Sequence, residues 1–198
     1  MSSDKKKPGD QPDLSALRDQ IDAVDEQIQS LINERARVAQ QVALAKNSGG
    51  EATAFFRPER EAQVLRSVVE RNKGPLSDEE IVRLFREIMS VCLAQEKPLK
   101  IGYLGPEGTF TQTAVYKHFG HSVRALPLAT IDEVFHEVES GSADFGVVPI
   151  ENSTAGTVNH TLDSFLMSPL KICGELELRI RQHLMGQMDD LKKVVRVC

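Results

Sequence analysis

From position 14 to position 46 the apolar residues keep one beat. Leu14, Leu17, Ile21, Val24, Ile28 and Leu31 fall three and four apart, and Val38, Val42 and Ala45 continue the series. That spacing draws a stripe along one face, and it predicts a single helix over 14–46. A helix of that length spans roughly 50 Å. The beat calls for an apolar residue at 35, and position 35 is an arginine. "NSGGEATAFF" then reads as a loop containing Gly49 and Gly50. Pro58, a residue type favoured at the first helical position, opens a second helix that runs to about Asn72. Ser77 and Glu80 make the S-x-x-E pattern of a capping box. A third helix follows, with Ile81, Leu84, Phe85, Ile88, Met89 and Cys92 on its apolar face. Helices of such unequal length cannot cover one another. The seam of the first needs a partner, and a second copy of the chain is the simplest one, which predicts a homodimer.

Past Pro98 the period changes. "LKIGYLG", "SVRALPL", "ADFGVVPI" and "LKICGELELRI" read as strands. "TFTQTAVYKHFG", "TIDEVFHEVESG" and "TVNHTLDSFLMS" read as the helices between them. Such alternation predicts a parallel sheet with helices on its faces. The expected organisation is a disordered tail over 1–12, an all-helical part over 13–97 and an α/β part over 98–198.

Composition narrows the function classes. Hydrophobic residues make up 40% and charged residues 27%, a balance that suits a folded, water-soluble chain. The formal net charge of −5 speaks against a nucleic-acid partner. No apolar run is long enough to span a membrane. The N-terminus is charged without an apolar core, so it does not read as a secretory signal. Cys92, Cys173 and Cys198 are odd in number and unrelated in spacing, which fits a reducing cytoplasm and no metal site. No cofactor motif appears: the glycines of "GYLGPEGTF" do not follow the dinucleotide pattern, and no acidic residue ends the next strand.

The charges on the first helix are the candidate chemistry. Arg35 alone could be a snorkelling side chain. Lys46, eleven residues on, returns to about the same face, roughly 20° away, so the two heads can reach one pocket. Arg18 lies seventeen residues before Arg35, roughly 25 Å along the axis. It cannot serve that pocket within one chain, although an antiparallel partner can deliver it there. "RPERE" opens the second helix with Arg57, Arg60 and Glu61. Glu59 and Glu61 also complement the dipole of that first turn. Glu96, four residues after Cys92, is either a helix-end carboxyl in water or a buried acid with a raised pKa. Several fixed cations and one protonated acid suit a small dianionic substrate. With no serine–histidine pair or metal cluster, catalysis there would act by shape and electrostatics.

The pattern "LRDQID..D......ERARVAQQVALAK" followed by "RPEREAQVL" closely resembles the all-helical class of chorismate mutases over about residues 13–97. That resemblance implies an intertwined dimer that rearranges chorismate to prephenate. By matching position it implies that Arg18 from the partner, Arg35 and Lys46 hold the carboxylates and ether oxygen. Glu61 would hold the substrate hydroxyl, with Arg60 beside it in the same motif. Cys92 stands where other members have a small polar residue, and Glu96 where many have glutamine and some glutamate. Lys46 and a protonated Glu96 would donate to the ether oxygen from opposite sides. Arg57 departs from the pattern, standing where some relatives have an acidic residue, and the loop before it is longer than in some.

In the second part, "GYLGPEGTF" puts a glycine-rich turn and Thr109 at a helix N-terminus, a natural carboxylate site. "VVPIENSTAGT" follows the third strand, at the carboxyl end of the sheet where open α/β folds bind ligands. Taken singly, its Ser, Thr and Asn residues read as helix caps. Together, "GPEGTF", "DFGVVPIENS" and "GELELRIRQHLMG" resemble prephenate dehydratase, a two-lobed fold like periplasmic binding proteins. The resemblance implies a partial site comprising Gly105, Gly108, Thr109, Phe110, Asn152 and Ser153. It also implies that the family pattern continues beyond Cys198, through a Thr-Arg-Phe motif and a regulatory domain, so the dehydratase part is expected to be truncated and inactive. The order of the two parts matches the bifunctional mutase–dehydratases of phenylalanine biosynthesis. A competing reading makes the α/β part a small-carboxylate-binding module that the helices only dimerise. A coiled-coil adaptor fits least, because the seam is short and charged at one point.

Overall fold

A computed structural model describes residues 13–48, 56–153 and 156–181, without the side chains of 46–48. The expected tail at 1–12, the Gly49–Gly50 loop, Thr154 and the chain beyond 181 lie outside the described residues. Three helices come first: α1 over Leu14–Ser48, α2 over Pro58–Arg71 and α3 over Asp78–Ala94. Pro58 stands in the first turn of α2, as its missing N–H allows. The box that starts α3 is complete. Ser77 Oγ accepts from Glu80 N at 3.3 Å, and the Glu80 carboxylate accepts from Ser77 N at 3.1 Å. These backbone and side-chain bonds to Ser77 hold the Glu80 carboxyl below its usual pKa.

α3 packs against both α1 and α2. Among the apolar residues of α1, Ala43 is buried, whereas Leu14, Ile21 and Leu31 are 70%, 59% and 63% exposed. The seam is therefore uncovered within one chain.

The α/β part follows as β1 (Lys100–Leu104), α4 (Phe110–Phe119), β2 (Arg124–Leu128), α5 (Ile131–Glu139) and β3 (Phe145–Val147). It then adds two short strands, β4 (Glu151–Asn152) and β5 (Gly156–Thr157), and helix α6 (Asn159–Met167). The main sheet has the order β2-β1-β3, with both pairings parallel. β4 and β5 form a small antiparallel pair. The core gathers Leu99, Ile101, Tyr103, Val115 and Phe119 between the sheet and α4. Truncating the fully buried Ile101 to alanine is expected to cost about 2–5 kcal/mol.

One expected strand is absent. "LKICGELELRI" has no regular structure over 170–180. Its residues are mostly exposed, and they run beside α4 instead of joining the ladder. Lys117 Nζ donates to Glu177 O at 2.9 Å, and Gly174 sits against the His118 ring. Alternation creates strand-like faces, but a strand also needs a neighbour for its backbone groups. The third strand is likewise shorter than "ADFGVVPI" suggests.

The two parts meet between α3 and the end of α4. Gly120 adopts φ 76°, and a Cβ there would come within 2.5 Å of Ser90 Cβ. Glycine therefore serves both the backbone conformation and the close approach. Beside it, His121 Nδ1 lies 2.7 Å from Glu87 Oε1, and His121 N donates to Glu87 Oε2 at 3.1 Å. Ser122 N donates to Ser90 Oγ at 3.3 Å. Burial raises the Glu87 pKa, but its hydrogen bonds and the charge interaction with His121 overcome this and leave it below the usual value.

Candidate active site between the helices

Three helical stripes converge on one cavity of about 280 Å³. α1 contributes Arg35, Ala39, Val42 and Ala43, spaced as one face of a helix. α2 contributes Arg57, Arg60, Glu61 and Val64, again at steps of three and four. From α3 and its exit come Met89, Ser90, Cys92, Leu93 and Glu96. Arg35 thus interrupts the apolar beat where the stripe turns from an exposed seam to the cavity wall. The α/β part closes one side with Leu99, Phe119, Ser122 and Val123.

The cavity brings together six residues singled out in the sequence: Arg35, Arg57, Arg60, Glu61, Cys92 and Glu96. Arg35, Glu61 and Glu96 are partly buried, and Cys92 is almost fully so. Arg18 is exposed on α1 and does not line this cavity. Lys46 lies in the last turn of α1, one helical stripe on from Val42 and Ala43, and its side chain is outside the described residues.

Glu61 lines the cavity with a perturbed carboxyl. Burial raises its pKa, opposed by the charge of Arg86 and by the hydrogen bond from that guanidinium. Arg86 Nε donates to Glu61 Oε1 at 3.4 Å. Arg60 Nη1 donates to Gln63 Oε1 at 2.6 Å. Among the described residues the cavity lining contains no histidine. It offers fixed positive charge, carboxyls and a tight apolar wall, which is an arrangement for binding and orienting an anion.

Arg86 and Ser90 were not singled out in the sequence. Their signal was available: Arg86 shares a helical stripe with Met89, Ser90 and Leu93, three, four and seven residues on. Phe56 and Ser122 gave no local signal, because their positions depend on contacts between the two parts.

The dehydratase-like residues sit at the carboxyl edge of the sheet. β1 and β3 are parallel neighbours, so the turns after them leave on the same edge. Gly108 has φ 83°, a left-handed turn suited to glycine, and its N–H donates to Gln112 Oε1 at 2.7 Å. Thr109 caps α4, its Oγ1 accepting from Gln112 N at 3.4 Å. Gly105 N donates to Leu128 O at 2.8 Å, tying the turn to β2. Phe110 is exposed, and Asn152 stands in β4 opposite Gly156, with Ser153 next to it.

A helical bundle with a cation-lined cavity, joined to a parallel α/β sheet, makes a chain of two parts. Residues 17–97 match the chorismate mutase type II family, and residues 101–198 match the prephenate dehydratase family. The chain belongs to the bifunctional chorismate mutase/prephenate dehydratase family. It is 58% identical to the protein of that name from Pseudomonas aeruginosa, over 95% of this chain and 53% of the relative. It is 49% identical to the one from Neisseria gonorrhoeae, over 89% of this chain and 49% of the relative. With the Escherichia coli K12 protein the identity is 31%, over 84% of this chain and 47% of the relative. The chain spans about half the length of the curated relatives it matches.

Proposed function

We propose that the helical part, residues 13–97, rearranges chorismate to prephenate. The observation that carries this reading is the convergence of Arg35, Arg57 and Arg60 with Glu61 and Glu96 on one cavity. The reaction is unimolecular and needs no nucleophile and no cofactor. It needs the compact diaxial conformer of the substrate and stabilisation of the negative charge that grows on the ether oxygen. In this reading Arg35, and Arg18 from a second chain, hold the carboxylates. Lys46 donates to the ether oxygen from one side, and protonated Glu96 donates from the other. Glu61 holds the substrate hydroxyl. Arg57, Arg60 and Cys92 complete the binding wall.

The reading requires a homodimer, and the uncovered seam of α1 on either side of Arg18 supports one. Among the described residues, no helix is long and apolar enough to cross a membrane. Free Cys92 and Cys173 suit the reducing cytoplasm in which we place the enzyme. For the α/β part we assign prephenate as the substrate. Gly105, Gly108, Thr109, Phe110, Asn152 and Ser153 would then form part of its site.

The test is loss of chorismate absorbance with purified protein at pH 5 and pH 7.5, with the products identified. Prephenate accumulating is the expected outcome. Phenylpyruvate formed by the enzyme at neutral pH would show that the α/β part dehydrates in this chain. A folded dimer with no turnover would sink the mutase reading and leave a carboxylate-binding module.

A further inference from the structure

The start of α2 has Pro58 in its first turn but neither a side-chain cap nor a hydrophobic staple. Its N-cap is Arg57, whose side chain makes no capping hydrogen bond. A residue just before the cap usually packs on the fourth helical residue. Here the preceding residue is Phe56, and the fourth is Glu61, which lines the cavity instead of stapling the turn. Phe56 finds its partners in the other part of the chain. Its ring lies 5.7 Å from that of Phe119 on α4 and 5.3 Å from that of Phe145 on β3, the latter nearly edge-on at 84°. Phe119 and Phe145 are themselves 5.6 Å apart, which closes a triangle of rings. Tilted and edge-on geometries at these distances are attractive beyond simple burial.

We propose that Phe56 is a positioning residue for the helical cavity: the α/β part holds it, and it sets where Arg57 and the first turn of α2 stand. Arg57 lines the cavity and is covalently next to the clamped ring, which itself forms part of the cavity wall; the double variant below separates that direct wall contact from positioning through Arg57. The Arg57 carbonyl accepts from Arg60 N at 3.0 Å and from Glu61 N at 3.1 Å, so a shift of Arg57 moves both cavity residues that follow. The α/β part thereby acts on the mutase cavity through a fixed contact, apart from any chemistry of its own. This inference rests on the mutase reading for its kinetic consequence, though not for its structural one.

The experiment compares Phe56→Ala and Phe56→Leu in the full chain, with and without Arg57→Ala, using chorismate as the probe. Phe56→Ala is expected to raise KM for chorismate roughly tenfold with kcat changed less than about threefold, as when binding common to ground and transition states is lost. Phe56→Leu, which keeps apolar bulk, should recover most of the loss. In the Arg57→Ala background, Phe56→Ala should add less than about twofold, because it acts through Arg57. Full additivity, or equal loss of kcat and kcat/KM, would overturn the proposal. Amide hydrogen exchange gives a readout independent of turnover. In Phe56→Ala the Arg60 and Glu61 amides should exchange faster while Glu80, in the first turn of α3, stays unchanged. Unchanged protection at Arg60 and Glu61 would also overturn the proposal. A wild-type chain without turnover would defeat the mutase reading, and the exchange data would still judge the clamp.

Discussion

Arg86 Nε stands 3.4 Å from Glu61 Oε1, and the two side chains are only 23% and 16% exposed. The pair joins α3 to α2 at the edge of the cavity and holds a carboxylate where burial disfavours its charge. Burial wins, and the Glu61 pKa lies above its ordinary value. The folded state therefore holds the proton more tightly than the unfolded chain does. That contribution to stability is fully present below the unfolded pKa and is lost as pH rises through the raised folded value. Arg86→Ala removes the main opposing influence, so it should destabilise the chain by about 1–3 kcal/mol at pH 7 and by clearly less at pH 4. Urea unfolding at the two pH values measures this. An equal loss at both would mean that the pair does not govern Glu61.

At position 35 two roles make opposite demands. A helix that only dimerises would gain from an apolar residue in its seam, whereas a mutase needs the guanidinium. Arg35→Leu should leave a folded dimer of equal or greater stability and lower kcat/KM about tenfold to a hundredfold, the scale of a lost charge-assisted contact. Sedimentation and chorismate kinetics on the same preparation separate the two. Retained turnover would remove Arg35 from the site.

In the proposed reading Glu96 donates to the ether oxygen only when protonated, so kcat/KM should rise from pH 8 toward pH 5. Glu96→Gln carries a permanent donor of the same shape and should flatten that profile while keeping activity at neutral pH. A wild-type profile already flat over this range would count against the assigned role.

The elements that the sequence made readable are those that depend on neighbours a few positions away. The beat of α1, the Ser77–Glu80 box and Pro58 at the start of α2 are local, and so is the alternation that implies the parallel order of β1, β2 and β3. Arg35 stood out because it broke a local rule. The strand expected over 170–180 failed because its pattern was local while its pairing was not: the segment lies along α4, with Lys117 taking a carbonyl from it. Arg86 carried a local signal in its stripe with Met89, Ser90 and Leu93, but its pairing with Glu61 on another helix was not local. Phe56 has a meaning only once Phe119 and Phe145 are folded against it.

His118 on α4 supplies a stability switch of opposite sign. Burial lowers its pKa, and the positive charge of Arg86 lowers it further. The folded state therefore prefers the neutral ring. This contribution is present above the unfolded value near 6.5 and is lost as pH falls through the depressed folded value. The junction should weaken in acid, and His118→Leu should make the unfolding midpoint less sensitive to pH below 6.5. Thermal unfolding across pH 4–7.5 tests this. The same scan guards the Glu96 experiment, because acid activation must be read where the chain is still folded.

The dimer can be tested through the site itself. In the proposed arrangement each cavity takes Arg35 from one chain and Arg18 from the other. Arg18→Ala and Arg35→Ala homodimers should both be nearly inactive, since every cavity lacks one cation. When the two variants are unfolded together and refolded, half of the dimers formed at random are mixed. In a mixed dimer one cavity receives both intact arginines and the other receives neither. Activity should therefore recover to about a quarter of wild type, as isologous pairing requires. If both arginines came from the same chain, every cavity would still lack one and mixing would restore nothing. An Ile28→Glu substitution within the exposed seam, 48% exposed in the single chain, should abolish the recovery by preventing pairing. Recovery that survives Ile28→Glu would place the partner contact elsewhere than α1.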